Sequence, residues 1–403
     1  MTDVRDLRFE WPQLRRPMFL IVDDPAPCLN LAHYEQYFEP HVRDVPNSFT
    51  NAWADLIEEF GVRGKFSVLP VPAGIGRIDR PLPGVKPSDQ AEFLRIARDR
   101  ISPRMDICIE FLTHFLAWDI HHDRPLDYTE KTMGPFTSEG HLTEYFTYGL
   151  RILDSLGLSP TGATSPGAAC CDIEGAYSRA IRDAVREARG LSIAWYFLHV
   201  DVSSPVVLPR LMSLNENSGQ ACVSLLSAGN DPSWQTQRQE PSNLDMLITA
   251  DGQSGRLVEL FRNGSPISFH THWQSLFSEG RATGLTDFRV LFGRIREHFG
   301  ERALWTKCSD LARVWAAQAA TRVIVSETEA AAEIRLRSPI ACPDFTVSVR
   351  CDREAIRVYA GAQILKPASG DRHLQPDTWR HSDGVLSWCA ALPAGEVVVR
   401  IER

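Results

Sequence analysis

The sequence predicts an α/β protein in which a (β/α) barrel is followed by a small antiparallel β module. Two observations support this prediction. Up to about residue 320, short apolar segments alternate with amphipathic helices, and polar loops follow the apolar segments. From about residue 321 the apolar residues recur at every second position instead. The first pattern is typical of parallel strands closed or nearly closed as a barrel, and the second of antiparallel sheets.

The predicted domains are therefore a barrel over 1–320 and a β-sandwich-like module over 321–403. In the barrel, buried strands are predicted where apolar and β-branched residues cluster: 18–22, 65–71, 105–112, 161–167, 193–200, 221–226, 244–249, 266–272 and 303–306. Helices are predicted where apolar residues follow a spacing of three and four: 48–60, 88–101, 138–156, 173–188, 255–261, 286–299 and 309–319. Gly61 and Gly157 stand where two of these helices should end.

The second domain is predicted from alternation alone. Apolar side chains occupy alternate positions in six segments separated by turns: 322–325, 332–336, 345–350, 355–359, 384–388 and 396–401. A strand with this pattern buries one face and exposes the other.

Composition narrows the classes of partner. The 403 residues carry a formal net charge of -8, which argues against nucleic acid or an anionic membrane as the main partner. No stretch approaches the roughly 20 apolar residues of a membrane span. The first ten residues lack the apolar core of a signal peptide, and the nine cysteines form no CxxC pair. We therefore expect a cytoplasmic protein with reduced cysteines and a small-molecule or carbohydrate substrate; the sequence does not indicate an oligomeric state.

Polar residues gather at the ends of the predicted barrel strands. Because chemistry in such barrels is located where the strands end, we expect these side chains to share one site. Carboxylates and imidazoles together are ligands for a divalent metal such as zinc, and a remaining carboxylate and histidine are suited to general base and acid roles. The residues concerned are Asp23, Asp24, Glu110, His114, Thr164, Ser165, His270 and His272.

Several short motifs resemble those of the polysaccharide deacetylase family, with its NodB-type catalytic barrel, over about residues 15–320. Ile21-Val-Asp-Asp-Pro25 resembles the family's Thr-Phe-Asp-Asp-Gly box, and residues 61–69 resemble the strand after its first helix. Glu110-Phe-Leu-Thr-His114 is similar to the approach to its His-Ser/Thr-x-x-His metal box. Thr164-Ser-Pro-Gly167 stands at its Arg-x-Pro-x-Gly wall, and Phe269-His270 stands where a late strand ends in the acid histidine.

The resemblance implies metal-dependent hydrolysis of an amide or N-acetyl bond on a carbohydrate-like substrate. It makes Asp23 the base, Asp24 and His114 metal ligands, zinc the expected ion, and His270 or His272 the acid. Glu110, Thr164 and Ser165 are then expected to contact substrate. Trp273, beside the last histidine, is a candidate for stacking on a sugar ring.

The chain also departs from the family's pattern. Position 118, where the resemblance places a second metal-binding histidine, is Trp118, so the third ligand is unassigned; candidates are Asp119, His121, His122 and His141. Thr164 replaces the arginine that orients the base.

Two other classes of function remain open. The barrel could be a metal-free carbohydrate-binding or scaffold protein. It could also be a glycoside hydrolase that uses Asp23 or Asp24 with Glu110, and retaining chemistry would then need two carboxylates about 5 Å apart.

Overall fold

The computed structural model describes residues 4–134, 137–370 and 373–402, so positions 1–3 and 403 at the ends of the two predicted domains lie outside it. The strands of the described ranges are β1 (Val4–Glu10), β2 (Arg16–Asp23), β3 (Gly64–Val68), β4 (Met105–Glu110), β5 (Leu116–Asp119), β6 (Arg124–Thr129), β7 (Gly162–Thr164), β8 (Ile193–Val200), β9 (Arg210–Asn215), β10 (Gln220–Ser227), β11 (Ile267–His272), β12 (Ala303–Trp305), β13 (Arg322–Glu327), β14 (Ala331–Ser338), β15 (Cys342–Cys351), β16 (Arg357–Ala360), β17 (Gln363–Ile364), β18 (Lys366–Pro367), β19 (Thr378–Ser382), β20 (Val385–Leu392) and β21 (Gly395–Glu402).

The α-helices follow most of the predicted ones closely. They are α1 (Leu31–Tyr34), α2 (Asn47–Phe60), α3 (Pro87–Ile96), α4 (Glu139–Ser155), α5 (Glu174–Arg189), α6 (Arg256–Arg262), α7 (Trp273–Phe277), α8 (Thr283–Phe299) and α9 (Cys308–Ala320). Gly61 takes a left-handed conformation, with φ of 66°, at the end of α2, which is the role predicted for it.

A curled, mostly parallel sheet forms the first part of the molecule. Within the described residues it has nine strands in the order β11-β2-β3-β4-β7-β8-β10-β9, with β12 beside β2. Only β9 runs antiparallel to its neighbour. Strands β3 and β4 are buried along their whole length, as expected for parallel strands covered on both faces.

The two ends of the parallel run, β10 and β11, approach each other. The Ser268 hydroxyl accepts the N–H of Ala228 over 2.9 Å, and His270 donates its backbone N–H to Gly229 over 3.3 Å. No β-ladder joins these two strands in the part of the chain described here. The sheet is therefore a mixed α/β half-barrel, curled far enough for its first and last parallel strands to touch.

Alternate residues of β2 enter two different cores. Leu20 and Val22 pack in the core that contains the helices α2 to α8, whereas Phe19 and Ile21 pack in a second core with residues of α9 and of the C-terminal strands. This division follows from the two-residue period of a strand. It places α9 on the opposite face of the sheet from α2 to α8, against β8 and β10.

The residues after 321, together with β1, form two further sheets, each of five strands in the described ranges. One has the order β13-β14-β21-β16-β17, and the other has the order β1-β15-β20-β19-β18. Their buried side chains, such as Leu336 and Trp388, share one core. Strand β14 alternates buried apolar with exposed charged residues, which confirms the predicted period. Strand β1, from the chain's beginning, pairs antiparallel with β15.

Among the segments that differ from the prediction, two lie in the first part of the molecule. The predicted strand at 244–249 begins with a 3-10 turn, Leu244–Met246, because Leu247 and Ile248 return their N–H groups to the Leu244 carbonyl. The side chains of Leu247 and Ile248 are fully buried, although no β-ladder joins this segment to a strand in the described ranges. Burial therefore explains the apolar run without a strand. The polar stretch after β4, predicted as a loop, instead contains the antiparallel pair β5 and β6.

Candidate functional site

Most of the predicted site residues meet at the C-terminal edge of the curled sheet. Asp23, Glu110, Thr164 and His272 are the last residues of their strands. The register places Glu110 directly beside Thr164, and His272 beside Asp23. Because parallel strands end at the same edge, residues separated by up to 249 positions in the sequence become neighbours.

Three of these side chains form a compact group. Asp24, Glu110 and His114 each offer one ligand atom, and these atoms lie within 4.8 Å of one another. Both carboxylates are buried, and the His114 side chain is 13% exposed. We call these three residues the carboxylate–imidazole group. Its composition, two oxygen donors and one nitrogen donor, fits a divalent cation.

Hydrogen bonds fix one oxygen of each carboxylate and leave the other facing the imidazole. Glu110 Oε2 accepts the backbone N–H of Asp24 over 2.8 Å, and the Tyr34 hydroxyl donates to Asp24 Oδ2 over 2.8 Å. The remaining Asp24 oxygen, Oδ1, is in close contact with His114 Nδ1. The remaining Glu110 oxygen, Oε1, lies 3.8 Å from the same nitrogen.

The backbone that carries the group adopts uncommon conformations. Asp24 and His114 have φ values of 66° and 57°, in the left-handed region that non-glycine residues seldom occupy. A buried carboxylate holds the loop at His114: Glu130 accepts the backbone N–H groups of Leu112, Thr113 and His114. The loop is thus fixed by a side chain outside the group, and such strain is common at functional sites.

The three residues of the group shift one another's pKa values. Burial opposes ionisation of Asp24, but the nearby His114 prevails and lowers the pKa of the Asp24 carboxyl. Burial followed by the charges of Asp24 and Asp23 raises the pKa of Glu110 well above its usual range. Burial opposes the charge on His114 as well, yet Asp24 and Glu110 raise its pKa to about 10. Without a bound ion, the protonated His114 ring therefore offsets the charge of Asp24.

Asp23 does not belong to this group but to a second buried cluster. The ammonium of Lys65, which is fully buried, pairs with Asp23 Oδ1 and donates to Thr164 Oγ1 over 2.6 Å. Ser67 also donates to Asp23 Oδ1, over 3.4 Å. Burial opposes the charge on Lys65, but Asp23 outweighs it and raises the pKa of the ammonium. Lys65 thus supplies a cation beside Asp23, whereas the sequence resemblance places the cation at position 164.

The two histidines of β11 have different partners. His272 Nδ1 lies 2.9 Å from Asp231 Oδ2, and the Ser275 hydroxyl donates to the same oxygen over 2.6 Å. His270 Nδ1 lies 2.9 Å from the Ser227 hydroxyl and has no carboxylate partner among the described residues. Burial opposes the charge on His272, but the hydrogen bond and charge of Asp231 outweigh burial and raise the pKa of His272. Burial and the neighbouring His272 lower the pKa of His270 to about 4. Of the two, His272 keeps its proton to the higher pH.

Aromatic rings border the site between the carboxylate–imidazole group and His272. The His33 ring lies 4.9 Å from the His114 ring and 5.6 Å from Tyr37. The Tyr37 ring lies 5.9 Å from Trp234, which in turn lies 4.7 Å from His272. Tyr37 and Trp234 are partly exposed. These rings form an apolar wall from the carboxylate–imidazole group to His272.

Two predicted substrate contacts lie away from the open part of the site. Trp273 is fully buried, and its ring packs edge-on against Phe49 and Phe66. The buried Ser165 donates its hydroxyl to the Ala169 carbonyl over 2.7 Å. Thr164 is at the site but is also buried, with its hydroxyl engaged by Lys65.

The residues considered as a third ligand also lie elsewhere. Trp118 is buried on β5, and its backbone N–H donates to the Tyr145 hydroxyl. His122 is exposed and bonded to Asp119. His121 is exposed, 3.8 Å from Glu144, and His141 lies in the first turn of α4, where its backbone N–H donates to the capping hydroxyl of Ser138. Glu110 occupies the third position instead, four residues before His114.

Sequence reasoning missed Lys65, Asp231, Tyr34 and Glu130. Lys65 is a charged residue at the start of the buried strand predicted at 65–71. This was a usable signal, since an unpaired buried lysine is unfavourable. Asp231 lies in the region 206–250, which has no clear period. No local pattern marks Tyr34 or Glu130.

Within the described residues, no helix has the length and apolarity to cross a membrane.

No protein-family model matches the chain, and no curated protein matches it significantly. Among solved structures it is similar to a CE4 family pseudoenzyme from Bacillus anthracis, at 10% identity and a TM-score of 0.30, over 70% of this chain. The chain spans 63% of that protein's length. It is also similar to an alpha-L-fucosidase, at 11% identity and a TM-score of 0.36 over 98% of this chain and 97% of the other, and to the alpha-fucosidase of Thermotoga maritima, at 10% identity and a TM-score of 0.28 over the same shares. Similarity at these scores carries no inference about the reaction.

Proposed function

We propose that the protein is a metal-dependent hydrolase that cleaves an amide or N-acetyl C–N bond of a carbohydrate-like or other small substrate. One observation carries the proposal. The carboxylate–imidazole group, the Asp23–Lys65 pair and the Asp231–His272 pair stand together at one edge of the sheet, so a ligand set, a base and an acid are available at a single place.

Asp24, Glu110 and His114 would hold the metal. A divalent ion bound there would polarise the scissile carbonyl and make a water molecule more acidic. Tyr34 and the backbone N–H of Asp24 orient the two carboxylates by occupying the oxygens that do not face His114. Such hydrogen bonds behind the ligands fix their direction before any ion arrives.

Asp23 would take the proton from the attacking water. The hydrogen bonds from Lys65 and Ser67 both engage its Oδ1, so Oδ2 is left for the proton. The buried Lys65 ammonium keeps the carboxylate oriented and partly offsets its negative charge.

His272 would protonate the amine as it leaves. Its pairing with Asp231 holds one ring nitrogen and favours the protonated ring, so the other nitrogen is left to donate. The neighbouring His270 lacks such a partner in the described residues and is suited to packing or to substrate contact. The rings of Tyr37 and Trp234 offer a surface on which a sugar ring could stack.

The test is to strip the purified protein with a chelator, reload it with single divalent ions, and measure acetate release from acetylated amino sugars and small acetamides. We expect release that requires metal, is lost in Asp24→Ala and His114→Ala, and is retained in the matched control His121→Ala, whose histidine is exposed outside the site. If no divalent ion binds to the reloaded wild type, the metal-dependent reaction is excluded.

A second candidate is a retaining glycoside hydrolase. The Asp24 and Glu110 oxygens lie within 4.8 Å, close to the separation of about 5 Å that such enzymes use. This reaction would survive the chelator and be lost in Glu110→Gln. Cleavage of aryl glycosides before and after metal removal separates the two candidates.

A further inference from the structure

We infer that Glu110 sets the metal preference of the site, shifting it from zinc towards harder, oxygen-preferring ions such as Mn²⁺. The inference rests on the proposed metal binding and concerns which ion is favoured. It is expressed as the ratio of two affinities, because zinc binds most mixed oxygen and nitrogen sites more tightly than manganese in absolute terms.

The first step is the donor set. Zinc sites that catalyse reactions commonly have three histidines, two histidines with one carboxylate, or two thiolates with a histidine. The carboxylate–imidazole group has two carboxylates and a single imidazole. Carboxylate oxygens suit Mn²⁺ and Mg²⁺, whereas imidazole nitrogen favours zinc and copper. Replacing one imidazole by a carboxylate therefore lowers the advantage of zinc.

The second step is how many oxygens each carboxylate offers. Asp24 Oδ2 accepts from Tyr34, and Glu110 Oε2 accepts the Asp24 N–H, so each side chain has one oxygen facing His114. Three single-atom ligands leave three positions of an octahedral ion for water or substrate. A tetrahedral zinc ion would have only one such position.

The third step concerns other imidazoles. The ring centroids of His33 and His114 are 4.9 Å apart. His33 is nevertheless not one of the residues whose ligand atoms lie within 4.8 Å of one another. His272 is held by Asp231. Among the described residues, His114 is thus the one histidine of the group. A histidine in place of Glu110 would give the group two imidazoles.

Charge alone does not discriminate between these ions. Two carboxylates attract every divalent cation equally at the same distance. The expected preference therefore arises from the type of donor atom, and a substitution that removes the carboxylate of Glu110 without adding nitrogen should weaken the binding of all ions alike.

The experiment compares wild type with Glu110→His and Glu110→Gln. Affinities for Mn²⁺ and Zn²⁺ are measured by competition with a chromogenic chelator, and metal content is measured by plasma mass spectrometry after equilibration with both ions. We expect Glu110→His to raise the ratio of zinc to manganese affinity at least tenfold. Glu110→Gln should weaken both ions with a ratio within about threefold of the wild type. Circular dichroism checks that each variant is folded.

A complementary variant keeps the inference testable if Glu110→His does not fold. His114→Asp makes the donors all oxygen, so the ratio of zinc to manganese affinity should fall below that of the wild type. An unchanged ratio in whichever of Glu110→His and His114→Asp folds would overturn the inference while leaving metal binding intact. Absence of binding of either ion to wild type would overturn the proposed function with it, whereas the expected ratios without amide hydrolysis would overturn only the reaction.

Discussion

The Lys65 ammonium donates to Thr164 Oγ1 over 2.6 Å while it pairs with Asp23, so a buried cation from β3 reaches across β4 to the end of β7. The Lys65 side chain thereby connects three strands, β2, β3 and β7, and holds the candidate base Asp23 in position. A buried ion pair of this kind adds little net stability when intact, but it is costly when one partner is removed.

Lys65→Met should therefore destabilise the protein by about 3–5 kcal/mol, because Asp23 would be left as an unpaired buried charge. The free energy of unfolding is measured by urea titration of the metal-free protein. The double variant Lys65→Met with Asp23→Asn removes both charges and should recover a large part of the loss. If the single and double variants are equally unstable, the ion pair is not the cause.

Asp231→Asn should lower the pKa of His272. Burial alone lowers that pKa, and the hydrogen bond and charge of Asp231, with smaller contributions from Asp23 and Asp24, raise it instead. The stability contributed by this pairing is complete below the unfolded pKa and is lost as pH rises through the folded one. Histidine NMR titration, assigned with His272→Gln, measures the shift. An unchanged titration of His272 in Asp231→Asn would contradict the pairing.

In the same variant, the alkaline limb of any pH–rate profile should move to lower pH, because the acid loses its proton sooner. Ser227→Ala is the matched control, since it removes the partner of His270 and leaves Asp231 in place.

Tyr34→Phe should weaken metal binding about 10- to 100-fold, because Asp24 loses the hydroxyl that orients it. Isothermal titration with Mn²⁺ measures the affinity. Tyr37→Phe is the control, since its hydroxyl accepts from Lys131 and its ring also lies against His33. Equal affinities in the two variants would show that the hydroxyl on Asp24 has no part in metal binding.

Asp106→Asn should change how stability depends on pH at the other end of the sheet. Burial, partly offset by hydrogen bonds from Ser309, raises the pKa of Asp106 from 3.8 to about 6. The folded state thus holds a proton that the unfolded state releases, so this group costs stability as pH rises from about 4 to 6, by up to about 3 kcal/mol above pH 6.

We therefore expect Asp106→Asn to gain stability relative to wild type at pH 7.5 and to lose that gain at pH 4. Melting temperatures recorded at both values test this. A difference between the two proteins that stays constant with pH would show that Asp106 is not the titrating group.

Sequence alone predicted the elements that are buried on both faces. The strand predicted at 193–200 has the same bounds in the structure, Ile193–Val200, because a buried parallel strand is a continuous apolar run. The pair β5 and β6 was missed, since its residues show neither period clearly. Strand β1 was missed for a similar reason: its charged side chains conceal a pairing that β15 supplies from the far end of the chain.

The candidate metal ligands show where sequence reasoning fails at the level of single residues. The resemblance placed a second metal-binding histidine four residues after His114, on the same face of a helix, and that position is Trp118. Residues 111–115 are not helical, and Phe111 and His114 have positive φ. The partner at the same spacing is Glu110, four residues back. The backbone conformation of this segment brings His114 next to the residue that precedes it by four positions, and no pattern of side chains in the sequence indicates this.

The pairing of β1 with β15 has a consequence for how the chain is made. Residues Val4–Glu10 are synthesised long before their hydrogen-bonding partners within Cys342–Cys351. Until those partners are made, the edge of this strand is unpaired, and closing so long a loop is slow. Deletion of Val4–Glu10 would therefore act on a sheet built mostly from residues after 321, exposing the edge of β15 to other molecules.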